Sequence, residues 1–192
     1  MPPTLHRRRC FTADVSLPPI LSYGAAVTDA RAALVDIEQS DGRVAVRVLA
    51  AGSTTVAVVE RVRGPKLHPH IPIGTRERQH LRMMLDDIPV HLDPGPGRYS
   101  RHSYRVVVEH EGHSYVYRPK TPDTSRLTRD GWRLGDFTIT TKGELDADWH
   151  EEAAPEPVDV AIGYALGAAF GAGADFFLVS MLNLVDQADP GH

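Results

Sequence analysis

Two sets of side chains in this 192-residue sequence have the types and spacing to do chemistry. The first is a pair of arginines, Arg105 and Arg118, on either side of the dipeptide Glu111-Gly112. If residues 103–110 and 113–118 form a hairpin around that two-residue turn, position 105 falls opposite position 118. Like charges directly across a ladder repel each other, so the pair calls for a neutralising group. A guanidinium fork suits a phosphate or carboxylate ligand. An acidic neighbour from residues 144–156 would serve equally well. The second set is His68, His70 and Glu77, two imidazoles and a carboxylate of the kind that hold a divalent metal ion. His110 and His113, opposed across the same turn, form a further imidazole pair that lacks a third ligand.

The elements that must position these groups read mainly as strands. After a Pro-rich lead-in over residues 1–32, the segment 26–38 is helix or loop to about residue 31 and strand beyond it. Ser40-Asp41-Gly42 supplies a turn, and Val44, Val46 and Val48 alternate with Arg43, Ala45 and Arg47. Val56, Val58 and Val59 follow a Gly-Ser turn. Thr75 is placed to cap a helix over roughly 76–87, with Leu81, Met84, Leu85 and Ile88 as its apolar stripe. A strand at 88–92 ends at Asp93-Pro94-Gly95-Pro96-Gly97. The hairpin gathers Tyr104, Val106, Val108, Tyr115 and Tyr117 on one face, which belongs on a core. A polar loop covers 119–131, and strands follow at 132–140 and 144–149.

Val158 to Asp186 is the most apolar stretch of the chain. Its uncharged run Val160–Ala174 is 15 residues long, Asp175 interrupts it, and Phe176–Val185 continues it. A membrane span needs about 20 apolar residues and tolerates a central Asp poorly, so a buried helix is the better reading. Gly163, Gly167 and Gly171 recur every fourth residue, giving the helix a small-residue stripe that permits close approach to a sheet or another helix. Gly171 and Gly173 favour a break, after which Asp175 would cap a second helix over Phe176–Val185. The expected fold is therefore mainly β: an antiparallel barrel or sandwich with one short helix and a hydrophobic carboxyl-terminal helix. Residues 33–186 form a single domain closed by helix 158–186, and 187–192 are a tail.

Composition bounds the function classes. Apolar residues are 42% and charged residues 24%, which excludes a disordered or collagen-like chain. The net charge of -4 hides a split: residues 1–142 carry all 21 Lys and Arg against 15 acids, while 143–192 carry ten acids and no Lys or Arg. Eighteen of the 21 basic residues are Arg, a bias that reads as a GC-rich, bacterial coding sequence. The lone Cys10 excludes an internal disulfide framework and a CxxC zinc site, and it fits a cytoplasmic protein. Arg7-Arg8-Arg9-Cys10-Phe11 has some twin-arginine character, but Asp14, Pro18 and Pro19 break the apolar run an export signal needs. No GxSxG, GxxxxGK[ST] or GxGxxG motif occurs. Asp146, Asp148, Glu151 and Glu152 read as a solvated acidic linker before they read as an acid/base pair. The stretch Tyr99 to Arg105 alternates aromatic and basic residues, yet a pI near 6.2 argues against nucleic acid.

An antiparallel β domain that closes on one hydrophobic terminal helix resembles the tubby-like barrel superfamily, which includes LURP-one and scramblase-like proteins. The resemblance spans roughly residues 33–186 and is architectural, carried by no diagnostic motif; about seven or eight strands are read here where that family has twelve, and the helix read over 76–87 departs from its pattern. It implies that Phe176 to Val185 lies inside the barrel. It also implies a binding or membrane-associated module, often linked to phospholipid or phosphoinositide, without catalysis. His68-Pro69-His70 followed by Glu77 resembles the cupin metal motif, with a longer spacing to the carboxylate and prolines that disfavour a central strand. The leading expectation is a non-enzymatic module that binds an anionic small molecule, a phospholipid headgroup or a protein partner, needs no cofactor, and uses Arg105 and Arg118 for the anion. The alternatives are a small metal-dependent enzyme built on His68, His70 and Glu77, and an assembly subunit or homo-oligomer joined through Val158 to Asp186.

Overall fold

A computed structural model describes residues 30–173 apart from positions 63, 65, 66, 99, 141 and 142. The readings placed on Arg7 to Phe11, on Asp175 and Phe176–Val185, and on the 187–192 tail lie outside the described residues. The chain forms ten strands: β1 (Leu34–Ser40), β2 (Arg43–Ala50), β3 (Ser53–Arg61), β4 (Leu81–Leu85), β5 (Ile88–Pro94), β6 (Val106–His110), β7 (His113–Pro119), β8 (Thr124–Arg129), β9 (Trp132–Ile139) and β10 (Leu145–Trp149). One α-helix follows, α1 (Pro157–Phe170). Every strand pairs antiparallel with its neighbour in sequence, so the sheet is a meander ordered β1 to β10. It curls into a half-barrel around α1, which touches β1, β2 and β3 at one end of the sheet and β9 and β10 at the other.

Local chemistry explains the meander. Ala51-Gly52, Asp86-Asp87, Glu111-Gly112 and Asp130-Gly131 all have positive φ at both residues. That geometry matches the twist of a two-residue hairpin, which Asn, Asp and Gly reach at least cost. The β6–β7 register is the one the sequence predicts, with Val106 opposite Tyr117, Val108 opposite Tyr115 and His110 opposite His113. The inward faces carry Val44, Val46 and Val48 from β2, Met83 and Leu85 from β4, and Val106, Val108, Tyr115 and Tyr117 from the hairpin, all 2% exposed or less.

Two segments differ from the sequence reading. The expected helix over 76–87 is a short 3₁₀ turn, Arg78–His80, followed by β4. Leu81, Met83 and Leu85 are buried while Arg82 is exposed, a period of two in place of the helical stripe through Met84. The Asp86-Asp87 turn then returns the chain into β5, with Leu85 opposite Ile88. The expected polar loop 119–131 contains β8, whose buried positions are Ser125 and Leu127.

The helix is apolar on nearly all sides, as a buried helix must be. Ile162, Ala165, Leu166 and Ala169 are fully buried. Its glycines allow a close approach: a Cβ at Gly163 would sit 2.2 Å from the Phe137 ring, and one at Gly167 would sit 2.5 Å from Leu145. Phe137 cannot yield, because Tyr117, Trp149 and Tyr164 pack edge-on against it at centroid distances of 5.8, 5.5 and 5.4 Å. Pro157 opens the helix with a pre-set φ, and Gly171, at φ 83°, ends it. At the amino-terminal end Asp159 is fully buried and accepts Arg129 Nη1 through both oxygens at 3.0 and 2.9 Å, together with the Glu156 backbone N–H at 2.7 Å.

Candidate functional site

The outer face of the half-barrel carries the charge that the inner face excludes. Because side chains alternate along a strand, Arg118 and Arg126 point away from the core that Tyr117 and Leu127 enter. Ladder pairing places Arg118 opposite Arg126, Arg126 opposite Asp136, and Asp136 opposite Asp148, so a row of charge crosses β7 to β10. Asp136 receives Lys120 Nζ at 2.7 Å, Arg126 Nε at 2.9 Å and Arg133 Nη2 at 2.8 Å. Burial alone would push its carboxyl up, but the hydrogen bonds from Arg126 and Lys120 outweigh this and hold it below the ordinary aspartate range.

An open depression of about 270 Å³ lies beside this row, lined by Arg101, His102, Arg118, Pro119, Lys120 and Arg126. The 3₁₀ turn Arg101–Tyr104 brings Arg101 there, and its Nη1 donates to the Lys120 carbonyl at 3.1 Å. Four cationic side chains, Arg101, Arg118, Lys120 and Arg126, thus line the depression, and Lys120, Arg126 and a fifth cation, Arg133, pair with Asp136. Among the described residues it is the sole carboxylate with which any of the five makes an ion pair. Arg118 is exposed and makes no ion pair with a described residue. Clustered donors with this excess of charge are suited to an anion with several oxygens, above all a phosphate.

Of the predicted arginine pair, Arg118 lines the depression and Arg105 does not. Arg105 precedes β6 at the end of the 3₁₀ turn, half-buried, and its carbonyl accepts from Gly95 N–H and Arg76 Nη2. Arg101, Lys120, Arg126 and Asp136 were not singled out from sequence for this site. The neutralising acid was expected from 144–156, whereas Asp136 on β9 supplies it. The Tyr99 to Arg105 texture was a usable signal, since it delivers Arg101 and His102.

His68, His70 and Glu77 lie in the loop before β4 and are exposed or half-exposed. Glu77 Oε2 is 3.6 Å from His80 Nε2 and accepts from Gln79. His113 Nδ1 lies 2.6 Å from Asp130 Oδ2, and His110 Nε2 lies 3.9 Å from Glu111. Among the described residues no group of three or more His, Cys, Asp or Glu is placed to hold a metal ion. Asp146, Asp148, Glu151 and Glu152 are all exposed. A larger depression of about 490 Å³ opens beside Trp132, which is 80% exposed. Its arginines and His113 are already matched: Arg129 by Asp159, His113 by Asp130 and Arg133 by Asp136. No helix among the described residues is long and apolar enough to cross a membrane.

No family model, no curated protein and no solved structure matches the chain.

Proposed function

We propose that this protein is a non-catalytic binding module for phosphate-bearing anions, with the depression between the Arg101–Tyr104 turn and the β7–β8 end as its site. The observation that carries the reading is the charge imbalance there: four Lys and Arg side chains line the depression, the one carboxylate that any of them pairs with is Asp136, which Arg133 also engages, and Arg118 faces Arg126 without an acid of its own among the described residues. Such a cluster is unfavourable in isolation and becomes favourable when an anion enters it. The same chemistry would accept a free phosphate ester or the headgroup of a phospholipid. The likeness to tubby-like barrels belongs to the same reading, supported by a curled antiparallel sheet around a helix.

The test has two arms. Inositol trisphosphate is titrated into the full chain by calorimetry, and the chain is sedimented with phosphatidylcholine vesicles with and without phosphatidylserine. The Arg101→Ala/Arg118→Ala double variant should lose about tenfold or more in affinity, since a charged hydrogen bond contributes about 1.5–3 kcal/mol. Binding in the first arm alone points to a free phosphate, and phosphatidylserine-dependent sedimentation points to a membrane surface. Equal behaviour of wild type and double variant in both arms overturns the proposal.

A further inference from the structure

The ladder between β4 and β5 is the shortest in the meander. It pairs Met83 with Val90, Met84 with Pro89 and Leu85 with Ile88, and stops there. In the same register Arg82 would meet His91 and Leu81 would meet Leu92, but His91 and Leu92 pair with Glu109 and Val108 of β6 instead. Pro89 weakens the ladder further, because it has no N–H to give. An open depression of about 440 Å³ lies at this seam. It is lined by Leu81, Met83 and Leu92, which are buried, and by Arg82, Pro89 and His91, which are exposed. Residues from both faces of the sheet therefore line one depression, as a gap between two strands requires. Arg78 also lines it, and neither Arg78 nor Arg82 makes an ion pair with a described residue. Arg78 Nη2 donates to the His91 ring at Nδ1, 3.1 Å away. The nearest acids by register and sequence are engaged elsewhere. Glu60, opposite Arg82, holds Arg43 at 3.0 Å; Glu109, opposite His91, accepts from Ser114 Oγ at 2.9 Å; and Glu77 accepts from Gln79.

We infer that this seam binds one single-chain carboxylate amphiphile of the fatty-acid class, its head on Arg78 and Arg82 and its chain along Leu81, Met83, Met84 and Val90. Size, polarity and charge each bear on that choice. The volume lies within the range of small-molecule sites, about 300–1,000 Å³. The apolar lining suits a hydrocarbon chain, and two unbranched methionines can adapt to its path. Two guanidinium groups without an acid of their own suit an anionic head, and the fork geometry matches a carboxylate. A small phosphate ester would leave the apolar lining uncovered, and a neutral lipid would leave the arginines unanswered. The seam is separate from the phosphate depression, with which it shares no lining residue.

Calorimetric titration of sodium decanoate into the full chain, below its micelle concentration, tests the inference, with sodium acetate as the head group alone. Decanoate should bind and acetate should not, and each methylene removed from the chain should weaken binding about fourfold. Arg78→Ala/Arg82→Ala changes two exposed positions, so it should fold and lose about tenfold or more in decanoate affinity. Arg101→Ala/Arg118→Ala should keep that affinity, because those residues line the other depression. In protein isotope-labelled at the methionine methyl groups, decanoate should shift the Met83 and Met84 signals. Absence of decanoate binding overturns the inference, as do acetate binding of equal strength and equal affinity in wild type and Arg78→Ala/Arg82→Ala. Loss of affinity in Arg101→Ala/Arg118→Ala, or Met83 and Met84 signals that do not move, would overturn it too.

Discussion

Asp159 and Asp136 are both buried carboxylates gripped by arginine, and they do opposite work on the two faces of one sheet. Asp159, inside the half-barrel, answers Arg129 through both oxygens and closes the first turn of α1 with its bond to Glu156 N–H. Glu156 adds a second acid to Arg129 at 3.3 Å, so that cluster has no cationic surplus. Asp136, on the outer face, answers Lys120, Arg126 and Arg133 at once, and Arg118 stands next to them without an acid partner among the described residues. A balanced cluster uses its charge to fix a helix to a sheet. An unbalanced one leaves charge directed outward, where a ligand can complete it.

Breaking each cluster should therefore register in a different measurement. The largest effect is expected inside. Arg129→Ala leaves the fully buried Asp159 carboxylate without its cation and should cost about 3 kcal/mol in urea unfolding, at the low end for buried pairs because the arginine side chain keeps 24% exposure. Anion affinity should stay unchanged, and a shift in Kd would break the separation of the two faces. Gly163→Ala tests the helix seat by another route. The added methyl meets the Phe137 ring, and overpacking of about 1–3 kcal/mol opposes a gain of about 1 kcal/mol in helix propensity. A net loss of about 1–2 kcal/mol is expected, and an unchanged urea midpoint would show that Phe137 can move.

The outer cluster should respond in the opposite sense. Asp136→Asn removes the one carboxylate and should tighten phosphate binding about fivefold, while lost charged hydrogen bonds cost about 1–2 kcal/mol of stability. Weaker binding in this variant would contradict the account of the site. The acid limb sharpens the comparison. Burial raises the Asp159 carboxyl, so in the window between its unfolded and folded values lowering the pH favours the folded state. The Asp136 carboxyl is held low by Arg126 and Lys120, so its contribution is complete above about pH 4 and is lost as the pH falls through its folded value. Urea midpoints measured from neutral pH downward should thus fall less steeply below about pH 4 in Asp136→Asn than in wild type. The smallest stability effect is expected for Arg118→Ala, within about 0.5 kcal/mol of wild type, because the side chain is exposed and makes no ion pair with a described residue.

The sequence revealed these regions unevenly, for physical reasons. The β6–β7 hairpin was legible to the residue because Glu111-Gly112 fixes a two-residue turn and the flanking face is aromatic and β-branched. The helix seat was legible through Gly163 and Gly167, whose missing side chains make room for Phe137 and Leu145. β4 was misread because Leu81 and Leu85 satisfy a helical period as well as an alternating one. The deciding signal was the Asp86-Asp87 turn, whose residues reach positive φ more readily than most. β8 was missed because Leu127 is its one apolar residue and its other inward position is a serine. That omission hid the site. Without β8 there is no Arg126 opposite Arg118, and without Arg126 the position of Asp136 has no consequence. Arg118 was found by like-charge reasoning alone, with Arg105 in place of Arg126 as its partner.

The most direct test of the outer site is calorimetric titration of inositol trisphosphate into three proteins at one fixed salt concentration: wild type, Arg101→Ala/Arg118→Ala and Asp136→Asn. The charge imbalance predicts that affinity falls about tenfold or more in the double variant and rises about fivefold in Asp136→Asn. Three equal dissociation constants, or no heat of binding in any of the three, would contradict it.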